Sequence, residues 1–256
     1  MKNKILSALI ILGVFGLVAI LPANASTTYT FQNGLNGYSG TQDNSIRGVN
    51  SKKEYNYGTN QRLYLRAGTY VSHILLYFDI SSLPSNMCIL SSTLKLYKLE
   101  TTSDPTSYIY QITAGPWSEG TKGGDPATAG DSDWNHRIHD TASWAAPGML
   151  AGTDYDATAA DVVPLGANGW YEWNVTSIVQ DWYNNVDPNY GFVIKLVDNN
   201  WDEQKFASSE HDTLAWRPKL IVQCEACQQN NVIPEPATVS LFAIGLLGLF
   251  RPRRKK

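Results

Sequence analysis

"SHILLYFDIS", residues Ser72–Ser81, decides the fold class. Ile74, Leu76, Phe78 and Ile80 fall on one side of an extended chain, with His73, Leu75, Tyr77 and Asp79 on the other. Side chains on a strand alternate between faces, so this period of two predicts a β-strand with a greasy face. Neighbouring runs repeat it. "STLKLYKLE" (Ser92–Glu100) sets Leu94 and Leu96 against Lys95 and Tyr97. "GFVIKLVD" (Gly191–Asp198) sets Phe192, Ile194 and Leu196 against Val193, Lys195 and Val197, and "PKLIVQC" (Pro218–Cys224) directs Leu220 and Val222 one way. Gly/Asn/Pro/Asp clusters such as "QNGLNG", "TSDPTS" and "NNVDPNYG" separate the runs as turns. One segment departs from the pattern. Val175, Ile178, Val179 and Trp182 recur at helical spacing, which predicts a short amphipathic helix in "VTSIVQDWYNN", with Asn174 or Thr176 placed to cap it. Many short strands without strand–helix alternation predict an all-β, antiparallel, jelly-roll-like sandwich with one short helix. The stretch from about Gly115 to Leu165, rich in Gly, Asp and Ala, is expected to be mostly loop draped over one side or end of the sheets.

The two ends read as delivery labels. Lys2 and Lys4, the apolar run Ile5–Leu21 and the small-residue step Ala23-Asn24-Ala25 form a secretory signal, with cleavage expected between Ala25 and Ser26. At the other end, Pro234-Glu235-Pro236 precedes the apolar run Ala237–Phe250 and the bases Arg251, Arg253, Arg254, Lys255 and Lys256. A helix over those 14 apolar residues rises about 21 Å against a hydrocarbon core of about 30 Å, so it suits a transient transmembrane sorting helix better than a lasting anchor. The basic tail would stay cytoplasmic, and the prolines would keep the stretch just outside the membrane extended. The expected plan is a signal peptide over 1–25, a sandwich over 26–223, a linker over 224–233 and a sorting signal over 234–256.

Charge follows from this plan. Residues 1–25 and 237–256 hold seven of the 20 Lys and Arg residues and none of the 23 Asp and Glu residues, leaving residues 26–236 near −10. Such a body is a poor nucleic-acid ligand, because phosphate affinity grows with basic contacts. Three cysteines are too few for a disulfide framework. Cys224 and Cys227 form one C-x-x-C in an exported setting, so a disulfide between them is the expectation, with Cys88 left as a partly buried thiol.

The tail resembles the PEP-CTERM sorting signal of Gram-negative exopolysaccharide producers, on its Pro-Glu-Pro, its "LFAIGLLGL" run and its Arg/Lys cluster. That resemblance implies export by the Sec machinery, transient anchoring in the inner membrane by the C-terminal helix alone, cleavage by an exosortase and delivery to the cell surface or extracellular matrix. The body resembles the DNRLRE-type module, a β-sandwich group related to carbohydrate-binding modules. The resemblance runs from about Asp43 to Val222 and rests on Phe78-Asp79-Ile80-Ser81, "WSEG", the W-x-V-T-x-I-V-x-x-W stretch from Trp173 to Trp182, Asn189-Tyr190-Gly191, "FASSE" and Arg217-Pro218. It implies a non-catalytic exported protein that binds extracellular polysaccharide.

Sugars present apolar C–H faces to aromatic rings and hydroxyls to polar groups, and the chain holds 8 Trp and 14 Tyr. Trp117, Trp134, Trp144 and Trp201 lie in or beside expected loops and are the candidate platforms. A uronate polymer needs bases, and Arg47, Lys52, Lys53, Arg62 and Arg66 cluster early in the body. Arg217 is expected to pair with Glu119 or Glu210. A structural Ca²⁺ held by Asp, Asn and carbonyl oxygens is compatible with this composition. Two other classes stand beside binding: a structural or adhesive surface protein acting through protein–protein contacts, and a polysaccharide lyase or hydrolase using His136 and His139 of "DWNHRIHD". No G-x-S-x-G, H-E-x-x-H or phosphate-loop motif supports the enzyme class. Intact-mass measurement of the exported form is expected to show a chain lacking Arg251–Lys256; a mass that keeps this cluster defeats the sorting-signal reading.

Overall fold

A computed structural model describes residues 25–100, 103–197 and 203–227. Its strands, in chain order, are β1 (Thr27–Phe31), β2 (Thr41–Arg47), β3 (Tyr55–Asn56), β4 (Arg62–Leu65), β5 (Ser72–Phe78), β6 (Met87–Glu100), β7 (Thr106–Gln111), β8 (Asp125–Pro126), β9 (His136–Ile138) and β10 (Ala142–Ser143). Then come β11 (Asp161–Pro164), β12 (Gly169–Asn174), the helix α1 (Thr176–Tyr183), β13 (Phe192–Leu196), β14 (Gln204–Ala207) and β15 (Lys219–Ala226). Two antiparallel sheets form the sandwich. The first runs β1-β15-β6-β14-β4, with β12 on the opposite flank of β6; the second runs β11-β7-β13-β5-β2. β6 is 14 residues long, so one of its flanks accepts both β15 and β14.

The expected alternation sorts these strands. Ile74, Leu76, Phe78 and Ile80 join Leu94, Leu96, Phe192, Ile194, Leu220 and Val222 in the main core between the sheets. Trp173 is fully buried there and donates its Nε1–H to Ser107 Oγ at 3.1 Å, which satisfies the indole's one polar atom. α1 closes this core through Ile178, Val179 and Trp182, the last packing its ring 4.7 Å from Phe192. Asn174 Oδ1 accepts the Thr176 N–H at 3.0 Å and so takes up one free donor at the helix start.

Apolar residues occupy the second face of the second sheet as well. Leu75, Tyr110 and Val193 point away from the main core yet are buried, and with Ile46 and Ile112 they form a second cluster. Trp117, Trp134, Trp144, Met149 and Tyr155 cover them, all from the long segment expected to drape over a sheet. That segment contains little regular structure beyond the β9–β10 ladder and the β3–β8 ladder that ties it to the early chain. Buried aspartates organise it instead. Asp154 accepts the N–H groups of Ala145 and Leu150, Asp131 those of Thr121 and Thr128, and Asp133 those of Asn135 and His136. A buried carboxylate that collects backbone donors replaces the ladder bonds such a chain would otherwise lack.

The cysteines contradict the expected pairing. Cys88 bonds to Cys227, and Cys224 is a buried free thiol. The period of two explains it. Cys224 follows Leu220 and Val222 on the inward face of β15, whereas Cys227 lies an odd number of residues further on and cannot share that face. Register then brings the end of β15 to the start of β6, with Glu225 opposite Cys88 and the Cys227 N–H donating to Asn86 O at 3.0 Å. β15 also runs to Ala226, past the expected boundary of the sandwich at 223. The expected pairing of Arg217 fails too: its Nε donates to His211 O and its Nη1 to Asn33 O. Residues 234–256, which hold the expected sorting helix, lie outside the described residues, among which no helix is long and apolar enough to cross a membrane.

The bridge closes a loop of 139 residues, so replacing Cys88 with Ser should lower stability by about 3–5 kcal/mol in chemical denaturation, and peptide mapping should find Cys88 joined to Cys227 with Cys224 alkylated only after unfolding. Gly191 has φ +85°, and a Cβ there would meet Leu76 O at 2.1 Å, so Gly191→Ala should cost at least about 2 kcal/mol, read as a fall in melting temperature.

Candidate functional site

β2 ends at Arg47 and hands the chain to a short 3₁₀ turn (Asn50–Lys52), then to β3 and the edge strand β4. Because β4 buries Leu63 and Leu65 against the core, alternation turns Tyr64 and the arginines at 62 and 66 outward. Each base of this segment except Lys53 and Arg62 lies over a tyrosine. Arg47 Cζ is 4.6 Å from the Tyr64 ring centre and 5.3 Å from that of Tyr57. Lys52 Nζ is 5.5 Å from the Tyr55 ring and Arg66 Cζ is 5.2 Å from the Tyr70 ring. Arg47 is also held by Glu203 at 2.6 Å, while Arg62 and Lys205 share the carboxylate of Glu100 at 3.2 and 2.8 Å. A cation resting on an aromatic face can still present those N–H donors that reach solvent to anionic or hydroxylated ligands.

Lys53 and Tyr55 open onto a polar surface cleft of about 440 Å³, with Glu54, Asn135 and His139 on its walls. Thus the structure gathers Lys52 and Lys53 at the cleft through Tyr55, places Arg47 and Arg62 on the adjoining β2–β4 edge, and leaves Arg66 at the end of β4 with the exposed Tyr70. A buried amide network fixes the turn between them. Asn44 Nδ2 donates to Ser132 O and Oγ at 3.0 and 2.8 Å, Asn56 Nδ2 donates to Glu119 O and Ser132 O at 2.7 and 2.9 Å, and Asn44 Oδ1 accepts the Tyr57 N–H at 3.0 Å.

The tryptophans expected as platforms are structural. Trp117, Trp134 and Trp144 are only 8%, 8% and 4% exposed, because their indoles fill the space between the long segment and the second sheet. Trp117 donates to Tyr190 O at 2.8 Å and Trp144 to Asp133 O at 3.0 Å; Gly148 packs so closely on Trp134 that a Cβ there would sit 2.1 Å from the ring. No broad ring face is left for a sugar. Trp201 lies outside the described residues.

A different aromatic group stands on the outer face of the first sheet. Tyr97 stacks on Trp216 with ring centres 4.7 Å apart and meets Trp170 edge-on at 5.4 Å; Lys219 Nζ lies 4.1 Å from the Trp170 ring, and Lys95 pairs with Glu172 beside it. The alternation that set Lys95 and Tyr97 opposite Leu94 and Leu96 already carried the signal for it.

His136 and His139, the residues of the enzyme class, meet at Asp133. Their Nδ1 atoms lie 3.0 and 2.5 Å from its carboxylate oxygens, and Asp133 is fully buried. Burial alone would lower the His139 pKa, but the hydrogen bond and charge of Asp133 outweigh it and the pKa rises. These three side chains could hold a metal ion, and Asp133 also pins the turn that carries Asn135 to the cleft by accepting the N–H groups of Asn135 and His136.

Residues 38–147, which contain the base-on-tyrosine segment and the cleft, match the family model for carbohydrate-binding module family 96. Residues 232–255 match the PEP-CTERM protein-sorting motif. A search of curated proteins found no match. The sorting motif implies export, and the chain is accordingly a carbohydrate-binding-module-like β-sandwich protein with a PEP-CTERM sorting motif.

Proposed function

We propose that this protein, once exported, binds an extracellular acidic polysaccharide at the cleft lined by Lys53, Tyr55, Asn135 and His139, extended along the bases at 47, 52, 62 and 66, and that it catalyses no reaction on it. The observation that carries this reading is the pairing of bases with tyrosines beside a polar cleft, all within the family 96 segment. Rings meet the C–H faces of the polymer while ammonium and guanidinium groups meet carboxylates. The body near −10 gains its selectivity locally, since charge steering at one face can oppose the net charge of the whole. Sec export, a transient inner-membrane stage through the C-terminal helix and exosortase cleavage would deliver it to the surface or matrix, and a structural calcium ion is compatible with the same setting.

A second reading draws on the outer aromatic group. Trp170, Tyr97 and Trp216 form a half-buried apolar patch that suits adhesive protein–protein contact. The two readings part in one experiment. Isothermal titration of the exported protein with uronate-rich and neutral polysaccharides is expected to show binding to the former, weakened at least about tenfold (about 1.4 kcal/mol) in Tyr55→Ala and in Lys53→Ala, and unchanged in Trp170→Ala. Binding should fall as salt rises, with no new reducing ends or unsaturated uronates. Absence of polysaccharide binding together with self-association abolished by Trp170→Ala would favour the adhesive reading.

A further inference from the structure

Three carboxylates converge at a point the binding cleft does not use. Asp43 lies mid-strand in β2, Glu119 in the loop after Trp117, and Glu210 in the turn after β14. One oxygen from each lies within 4.8 Å of the other two. Asp43 is fully buried, and Glu119 and Glu210 are half-buried. The backbone holds them in place: the Asp43 N–H donates to Glu119 Oε1 at 2.7 Å, the Ser209 N–H to Asp43 Oδ2 at 2.7 Å, and Ser209 Oγ–H to Glu210 Oε1 at 2.6 Å. These bonds consume one oxygen of Asp43 and one of Glu210. The others, Asp43 Oδ1 and Glu210 Oε2, are buried and no donor among the described residues reaches them.

A buried carboxylate oxygen without a partner is costly, and two of them in one acid cluster point to a missing positive group. The salt bridges among the described residues include none of the three acids. Arg217, the guanidinium whose field reaches Glu210, directs its Nε and Nη1 to backbone carbonyls. Burial pushes all three carboxyls up, and repulsion from neighbouring carboxylates adds to it at Asp43 and at Glu119, which rises to about 8.

The donor set selects the ion. All donors are hard oxygens, which suit Ca²⁺ or Mg²⁺ and give no preference to zinc or copper. Ca²⁺ accepts six to eight oxygens at about 2.3–2.6 Å in irregular shells, whereas Mg²⁺ demands a near-ideal octahedron at about 2.1 Å and gives up its waters reluctantly, so a protein cage of several carboxylates suits Ca²⁺ better. We propose that Asp43, Glu119 and Glu210 form a calcium site that ties β2, the loop after Trp117 and the turn after β14 to one another. The tie reaches the cleft side as well, because Glu119 O accepts Asn56 Nδ2 and a Cβ on Gly58 would lie 2.2 Å from it, so the turn following Tyr55 rests on the loop that carries Glu119.

The test uses the full chain, stripped with EGTA and titrated with CaCl₂ or MgCl₂ alone by calorimetry and thermal melting. One Ca²⁺ should bind per chain with a rise in melting temperature of several degrees in millimolar Ca²⁺, and Mg²⁺ should bind at least about tenfold more weakly. Asp43→Asn removes one like charge, so in EGTA it should melt at or above the stripped wild type while losing the response to Ca²⁺. Glu210→Gln, a less buried change, should lose the response too and serves if Asp43→Asn does not fold. No Ca²⁺ uptake by the wild type at about 10 mM, well above the millimolar range of extracellular calcium modules, would overturn the proposal. So would a full Ca²⁺ response retained in Glu210→Gln.

Discussion

The second sheet is apolar on both faces, and much of the molecule is arranged around that constraint. A strand with one greasy face can leave the other in water, but β5 and β13 cannot: Ile74 and Leu76 face the main core while Leu75 and Val193 face the opposite way and are just as dry. Leaving that second face open would expose a patch large enough to drive association. The long segment between β7 and β11 is therefore pressed onto it, with three indoles as the filling. Its turns must then be built without a ladder, and the buried carboxylates of Asp131, Asp133 and Asp154 supply the acceptors.

The cleft is a by-product of that cover. Where the segment returns toward the early chain, β8 pairs with β3, Ser132 accepts both Asn44 and Asn56, and a polar rim is left between Tyr55 and His139. The draped segment thus spends its three tryptophans on packing, and tyrosines and bases of the early chain stand at its margin. Tyrosine suits a margin, since its ring can pack while its hydroxyl stays wet. The family 96 match covers this corner and also β4, β5 and β6, so the strands that carry the cleft supply much of the main core as well.

Much of the framework was legible in the sequence because local periodicity decides it. The inward set of β5 and β6, the helix at Thr176–Tyr183 and the draped segment each follow from residues close in the chain. What was not legible depends on contacts between distant residues. Loop position alone suggested that Trp117, Trp134 and Trp144 were accessible, but a loop lying on an apolar sheet face buries its large side chains first. Two cysteines three apart looked like partners, while the true partner was set by the register of β15 on β6. Lys98 shows the same limit. Alternation assigns it inward with Leu94 and Leu96, and it is fully buried; its ammonium escapes by donating to Gly166 O at 2.6 Å, which no local pattern announces. The outer group of Trp170, Tyr97 and Trp216 was within reach of the alternation already recognised, but joining it needed the pairing of β12 with β6.

The bridge from Cys227 to Cys88 fixes the last described residue of the chain to the start of the longest strand in the first sheet. A tug applied beyond Cys227 would otherwise peel β15 from β6 one rung at a time, the weakest way to load a sheet. With the covalent clip in place the force enters β6 itself, whose neighbours β12, β14 and β15 would have to slide together before anything came apart. A pull on Cys227 thus meets the first sheet as shear across β6 rather than as peeling of its neighbour strand.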